Sequence, residues 1–462
     1  MWIPDLAGRH GPTYLRIVEA MADAIAAGTL APDTRLPPYR ELAYQLGVSA
    51  NTTSRAYAEA VRRALLRGEV GRGTFVRAAD QGRPSSGHAT LQRDQDGPID
   101  LSRNLPLPGF AEPHIRRALA EVAGNDGLAA LLDYQTEQDL APHAEAGALW
   151  LRHCGLERAP DEVVATMGGQ HGLLCTLIGV LRSGDLLLTE ALTYTPVRAM
   201  AERLGLQTEA VAMDRDGVLP DAFEALCQRA RPAAFYLTPT LQAPTTVTLS
   251  EHRRRAIAGI AEAHGVIVIE DDVFAPLKPD RPAPIATHAP DHTVYVTSLS
   301  KSVAPGLRIG FLRAPERLVP ALRHAINLSV WMTPPLISEI ATRLIQDGTA
   351  MRLAAEQSAA AAHRQRLARA ILGDVDIAAD PNGLHVWLRL PGAWRADAFL
   401  ARCQREGVLV SEGRSFAARA ADAPEAIRLC LSHEPDTGRL ERGLRSVAQL
   451  LRLAPSGSMV EL

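Results

Sequence analysis

A chain of 462 residues, 47% hydrophobic and 22% charged, is too long for one compact core and reads as about two to four globular units. Its net charge of −3 neither demands nor forbids nucleic acid, and no stretch reaches the roughly 18 apolar residues of a membrane span. The start "MWIPDLAGRHGPTYLRIVEA" has no basic region leading into an apolar run and cleavage site, so a cytoplasmic location is expected. Cys154, Cys175, Cys227, Cys403 and Cys430 are scattered and never form a C-x-x-C pair; they indicate neither a disulfide framework nor a metal site and are expected to be buried thiols.

In chain order, "TYLRIVEAMADAIAAGTL" (13–30) repeats Ile17, Met21 and Ile25 at helical spacing, with Gly28 as the stop. A Pro-rich turn then leads to a short helix from about Tyr39 to Leu46, a break at Gly47, and a second helix with Ser49 as its N-cap. A short helix, a Gly-containing turn and a helix that opens on small polar residues form a helix-turn-helix, whose second helix presents its first residues to base edges. "RGEVGRGTFVRA" (67–78) adds two short β-type runs around Gly71 and Gly73, suited to a wing. Residues 79–98 are polar and rich in Gly, Pro and Ser, a linker composition.

"LPPYRELAYQLGVSANTTSRAY" and "GRGTFV" resemble the winged helix-turn-helix of GntR-family bacterial regulators. The resemblance implies that Arg40, Ser49, Asn51, Thr52, Arg72 and Gly73 contact double-stranded operator DNA. Where the family usually has arginine this chain has Ala50, and often also at Ser54, which leaves Arg55 as the neighbouring cation. A helical dimerisation module with solvated arginines is the bland alternative, against which helix-turn-helix and wing occur together in order.

Beyond the linker, short β-branched runs alternate with helical stretches: "EVVATMG", "DLLLTEA", "AAFYLTP", "GVIVIEDD", "HTVYVTSLS" and "IGFLRA". This is the pattern of an α/β unit with a mainly parallel sheet, which binds ligands at the carboxyl ends of its strands. Three strand ends stand out. "GGQHG" opens an apolar helix with glycines, "EDD" (270–272) places acids after "GVIVI", and "SLSKSVAPGLR" carries Ser298, Lys301 and Arg308. Alone, each has an ordinary reading as a turn, a cap or a surface charge.

Together they supply an anion cradle, an acid and one amine, the set that pyridoxal 5′-phosphate requires. Only two lysines, Lys278 and Lys301, stand among 49 basic residues, and arginine cannot replace a Schiff-base lysine because its guanidinium stays protonated. Lys278, in "FAPLKPDRPAP", reads as a surface charge.

Residues 99–450 resemble fold type I, aspartate aminotransferase-like enzymes, and nearly the full length looks like the MocR branch of the GntR family, which joins both parts. The resemblance implies three segments: a winged helix-turn-helix at 1–78, a flexible linker at 79–98, and a fold type I, PLP-dependent transferase-like α/β domain at 99–462. It further implies that Lys301 forms the Schiff base, Asp271 pairs with the pyridine nitrogen and Tyr194 stacks on the ring. By the same match Gly169, Gln170, Ser298 and Arg308 hold the phosphate, and Arg428 binds an effector carboxylate; a solvent-facing strand arginine is the alternative for Arg428. A head-to-tail homodimer is implied as well.

The chain departs from these enzymes in having Ala243 and Phe274 where they use an asparagine and a tyrosine to hydrogen-bond the cofactor's phenolic oxygen. Without those partners the protonation of the imine is less well controlled, so sensing is favoured over turnover. The expected function is a pyridoxal phosphate-binding transcriptional regulator that responds to an amine, an amino acid or the cofactor itself. An active aminotransferase with a DNA-binding appendage, and a regulator whose large domain only dimerises, are the alternatives.

Overall fold

The computed structural model describes residues 2–6, 11–26, 29–31, 34–62, 65–69, 73–76, 97–157, 162–392 and 394–453. Contacts divide the chain into two compact units, Met1–Gln92 and Arg93–Leu462. The expected linker lies outside the described residues except for its last two positions, and the Gly28 stop and the Gly71–Arg72 wing tip lie outside them too.

In the first unit, α1 (Thr13–Ala26), α2 (Tyr39–Leu46) and α3 (Ala50–Arg62) precede an antiparallel pair, β1 (Leu66–Glu69) and β2 (Gly73–Val76). α1 buries Ile17, Val18 and Met21 against Leu42 of α2 and Ala56 and Tyr57 of α3. Gly47 sits at φ 63°, the left-handed turn that lets α2 stop after two turns and α3 start across it. The Ser49 hydroxyl accepts from the Thr52 amide at 3.2 Å, so the expected N-cap forms.

The second unit is built on a seven-stranded sheet in the order Val163–Thr166, Gly310–Arg313, Thr293–Ser298, Ile267–Asp271, Ala234–Leu237, Leu186–Glu190, Gln207–Val211. All neighbours are parallel except at Gly310–Arg313, which runs against both of its partners. The six apolar runs of the sequence are six of these strands. The seventh, "QTEAV", is an edge strand with its outer residues exposed, so it lacks the apolar run that marked the others. A separate four-stranded antiparallel sheet, Ile377–Ala379, His385–Arg389, Ala426–Cys430 and Ser411–Glu412, packs on Thr349–Leu372 and Thr437–Arg452 around its own core. All five cysteines are buried and unbridged. Among the described residues no helix is long and apolar enough to cross a membrane, and no cluster of metal-ligating side chains occurs.

Candidate functional site

The register of the large sheet assembles the three strand ends. Gly310 lies between Thr166 and Ser298, so the antiparallel strand draws the Gly168–Gly169 turn and the Ser298–Lys301 turn together. Gly168 adopts φ 82° and opens the buried helix Gly169–Val180, aiming that helix's free amides at the same point. A Cβ on Gly168 would lie 3.0 Å from Arg308 Nη2, and one on Gly169 would lie 3.6 Å from Ser298 Oγ. Arg308, itself at φ 51°, donates from Nη2 to the Met167 carbonyl at 3.1 Å. A cationic fork, a hydroxyl and a helix N-terminus thus converge, with the Val273 side chain 3.0 Å from where a Gly169 Cβ would lie, and Gln170 stays exposed on the first turn.

Asp271 ends the central strand and is 5% exposed. Tyr236, one strand over, donates its hydroxyl to Asp271 Oδ2 at 2.8 Å, while Oδ1 is buried without a partner. Burial pushes the Asp271 carboxyl up to about 6, opposed by the Tyr236 hydrogen bond, so it is largely ionised at neutral pH. Lys301 is partly buried and donates from Nζ to the Asn104 carbonyl at 2.6 Å. Burial and then the Arg428 charge bring its amine down to about 8, with Asp271 acting in the opposite direction. Tyr194 caps the helix Thr195–Arg203; burial first, and then the charge of Asp271, raise its phenol to about 12.

Arg428 is not a solvent-facing arginine. It lies partly buried in Ala426–Cys430, donates to the Ser102 carbonyl at 2.8 Å and stacks 4.6 Å from the Phe416 ring. Lys278 is not a plain surface charge either: with 12% of its side chain exposed, it bridges Asp280 at 3.2 Å and Asp380 at 3.0 Å. Its reading from sequence failed because Asp380 is about a hundred residues away in the chain.

The two departures, Ala243 and Phe274, belong to one buried apolar cluster with Leu241, Leu277, Ala361 and Leu384. The Phe274 ring centroid is 5.8 Å from Lys301 Nζ. Gln242 cannot repair the loss at Ala243, since its Nε2 donates to Glu190 Oε2 and the Leu192 carbonyl while its Oε1 accepts twice from Thr245. Sequence reasoning did not single out Asn104, Tyr236 or His385. Only a phenolic hydroxyl inside an otherwise apolar strand gave any signal, for Tyr236.

In the first unit Arg40, Ser49 and Asn51 are exposed and Thr52 half-exposed around the α2–α3 turn. Ser49 Oγ and Thr52 Oγ1 are 2.8 Å apart, so both hydroxyls have a mutual partner. Gly73, at φ 120°, begins β2 with the Arg35 guanidinium against it. Arg55 is not poised over the turn: it lies 4.0 Å from the Tyr14 ring centroid and donates to that tyrosine's hydroxyl, which ties α3 to α1.

Fold and site together define a winged helix-turn-helix joined to a domain of the aminotransferase architecture. Residues 97–447 match the aminotransferase class I and II family, and residues 13–76 match the gntR family of bacterial regulatory proteins. The chain is 31% identical to the vitamin B6 salvage pathway transcriptional repressor PtsJ of Salmonella typhimurium, over 91% of this chain and 95% of that one. It is 26% identical to the HTH-type transcriptional regulator YdeF of Bacillus subtilis, over 97% and 96%. Among solved structures, an archaeal alanine:glyoxylate aminotransferase superposes with a TM-score of 0.72 at 24% identity, covering 78% of this chain and 92% of the enzyme. The chain therefore belongs to the gntR-type transcriptional regulators that carry a class I and II aminotransferase domain, the pyridoxal 5′-phosphate-binding type.

Proposed function

We propose that the segment 99–462 holds pyridoxal 5′-phosphate on Lys301 and reads an amine or amino acid there, and that this reading sets the operator affinity of the winged helix-turn-helix at 1–78 through the linker 79–98. The observation that carries it is the unpartnered Asp271 Oδ1, buried at the strand end that also faces the amine of Lys301. Asp271 is the acid for the pyridine nitrogen, Tyr194 the stacking ring, and Gly169, Gln170, Ser298 and Arg308 the phosphate site. Arg428 receives an effector carboxylate. When bound, the cofactor supplies an aldehyde carbon that amines exchange onto. With an amine bound there, the Lys301 amine would be free of the cofactor, and the difference in ligand affinity between the two arrangements would be the free energy available for switching. The apolar surroundings made by Ala243 and Phe274 favour sensing over sustained turnover.

On the DNA side, Arg40, Ser49, Asn51, Thr52, Arg72 and Gly73 form the proposed contact set, presented by a head-to-tail homodimer acting in the cytoplasm. The test is to titrate the pigmented, full-length protein with a panel of amines and amino acids while following its visible spectrum and its affinity for its own upstream DNA. One compound is expected to move both. Arg40→Ala and Arg72→Ala should each weaken DNA binding and lower its salt dependence by about one phosphate contact, leaving the spectrum unchanged. Steady, keto-acid-dependent consumption of an amino acid would instead establish an enzyme.

The lowered Lys301 value makes a further prediction about assembly. Cofactor addition needs the neutral amine, and at pH 7 about a tenth of the molecules have it, against fewer than about one in a thousand at the ordinary lysine value. The rate at which added pyridoxal phosphate colours the cofactor-free protein should rise up to about tenfold per pH unit below about pH 8 and level off above it. Arg428→Gln removes a cation that opposes the Lys301 proton, so its plateau should move to higher pH. A rate that does not change between about pH 6 and 8 would refute the assignment of the amine.

A further inference from the structure

The site has a second wall, contributed by the small sheet and the segment at Ser102–Asn104. His385 and Arg428 stand on adjacent strands, with His385 opposite Cys430 and Arg428 opposite Trp387. Ser102 accepts from Arg428, and the Asn104 carbonyl accepts from Lys301. The Asn104 side-chain nitrogen Nδ2 lies 3.1 Å from His385 Nδ1. The His385 ring also sits 6.3 Å from that of Phe274, at the edge of the apolar cluster.

Two polar atoms of this wall, Asn104 Oδ1 and His385 Nε2, are buried with no hydrogen-bond partner. His385 stays neutral, because burial and then the Arg428 charge push it down to about 3, although the nearby Gln242 and Pro244 carbonyls, outside hydrogen-bond geometry to Nε2, pull the other way. A neutral imidazole has one donor and one acceptor nitrogen, and a carboxamide has an amide donor and a carbonyl acceptor. Their mutual contact uses one donor and one acceptor. Whichever way the carboxamide is turned, and whichever ring nitrogen holds the proton, one donor and one acceptor remain unsatisfied. Buried groups in that condition favour a ligand that supplies both complements and disfavour one that supplies neither.

Resting on the reading that an amino acid lies between Lys301 and Arg428, we propose that Asn104 and His385 form a specificity pocket for an uncharged hydrogen-bonding side chain, a hydroxyl or carboxamide. Such a group donates and accepts at once. An aliphatic side chain leaves both wall atoms unpaired, and a further carboxylate would bring a charge to a buried, neutral pair that has only one donor to offer.

The test compares near-isosteric amino acids on the full-length, cofactor-loaded protein: serine with 2-aminobutyrate, homoserine with norvaline, asparagine with leucine, each titrated against the visible spectrum. In the wild type at least one polar member should act at about 10-fold lower concentration than its apolar counterpart. His385→Phe, which keeps a planar ring, and Asn104→Ala should each erase that ratio while the apolar member's own affinity stays within about threefold. Cofactor retention reports folding for each variant, and Asn104→Ala decides the matter if His385→Phe does not load. Equal response to both members of every pair, or a ratio that survives both substitutions, overturns the specificity pocket alone. If no amino acid moves the wild-type spectrum although the cofactor is bound, the effector reading falls with it.

Discussion

Lys301→Ala is expected to purify colourless and to lose added pyridoxal phosphate on dialysis, whereas the wild type stays yellow with one cofactor per chain. In the proposed site the Lys301 amine makes the covalent bond, and no second lysine can take over: Lys278 is held between Asp280 and Asp380. Lys301→Arg separates charge from chemistry, since it keeps a cation beside Asp271 and Asn104 yet forms no imine under ordinary conditions, and it too should be colourless. Folding should survive in both, because Lys301 is only partly buried and its direct hydrogen bond is to one main-chain carbonyl. Lys278→Ala should show the reverse behaviour, retaining the cofactor while losing roughly 1 kcal/mol of stability with its ion pairs. Absorbance after dialysis and a denaturant melt read all three; a Lys301→Ala protein that keeps a full complement of cofactor would remove Lys301 from the site.

Gly310→Ala is expected to damage the proposed phosphate end of the site without touching a single polar group. A Cβ at Gly310 would lie 2.8 Å from the Gly168 carbonyl carbon and 2.8 Å from the Thr297 oxygen, both main chain and neither able to rotate aside. Something must move, and what moves is the turn that opens Gly169–Val180 or the strand that carries Ser298. Overpacking of this kind costs about 1–3 kcal/mol, and displacement of the amides should lower cofactor affinity by about tenfold or more with Lys301 intact. Gly259→Ala is the matched control. Its Cβ would meet nothing within 4 Å on the exposed side of Glu251–His264, so it should stabilise the protein by about 0.5–1 kcal/mol and leave the cofactor alone. Equal cofactor affinity in Gly310→Ala and the wild type would mean that the turn does not form the phosphate site.

Much of the architecture was legible because its cues are local. The Tyr39–Leu46 helix, the Gly47 turn and the Ser49 cap depend on residues within a few positions of one another, and all three form as read. The six apolar runs became six strands because nearly every residue in them is buried, so both faces of each strand are apolar and the run is continuous rather than alternating. Arg55 was open to misreading for the opposite reason, as the Tyr14 ring it stacks on belongs to a helix 41 residues earlier.

By itself, then, the sequence determined the division into a DNA reader and an α/β domain and the positions of the strand ends, and it singled out Lys301 as the candidate amine, since these follow from hydrophobic period, turn chemistry and the reactivity of one side chain. Only the tertiary structure decided what surrounds that lysine. The antiparallel register at Gly310 draws the Gly168–Gly169 turn to Ser298, Tyr236 takes one oxygen of Asp271 and leaves the other unpaired, and Asn104 and His385 come to its side from 197 residues before it and 84 after. Contacts between segments so far apart are set by sheet order and packing, and a burial that tunes an amine or leaves a carboxylate oxygen without a partner exists only once those segments have met.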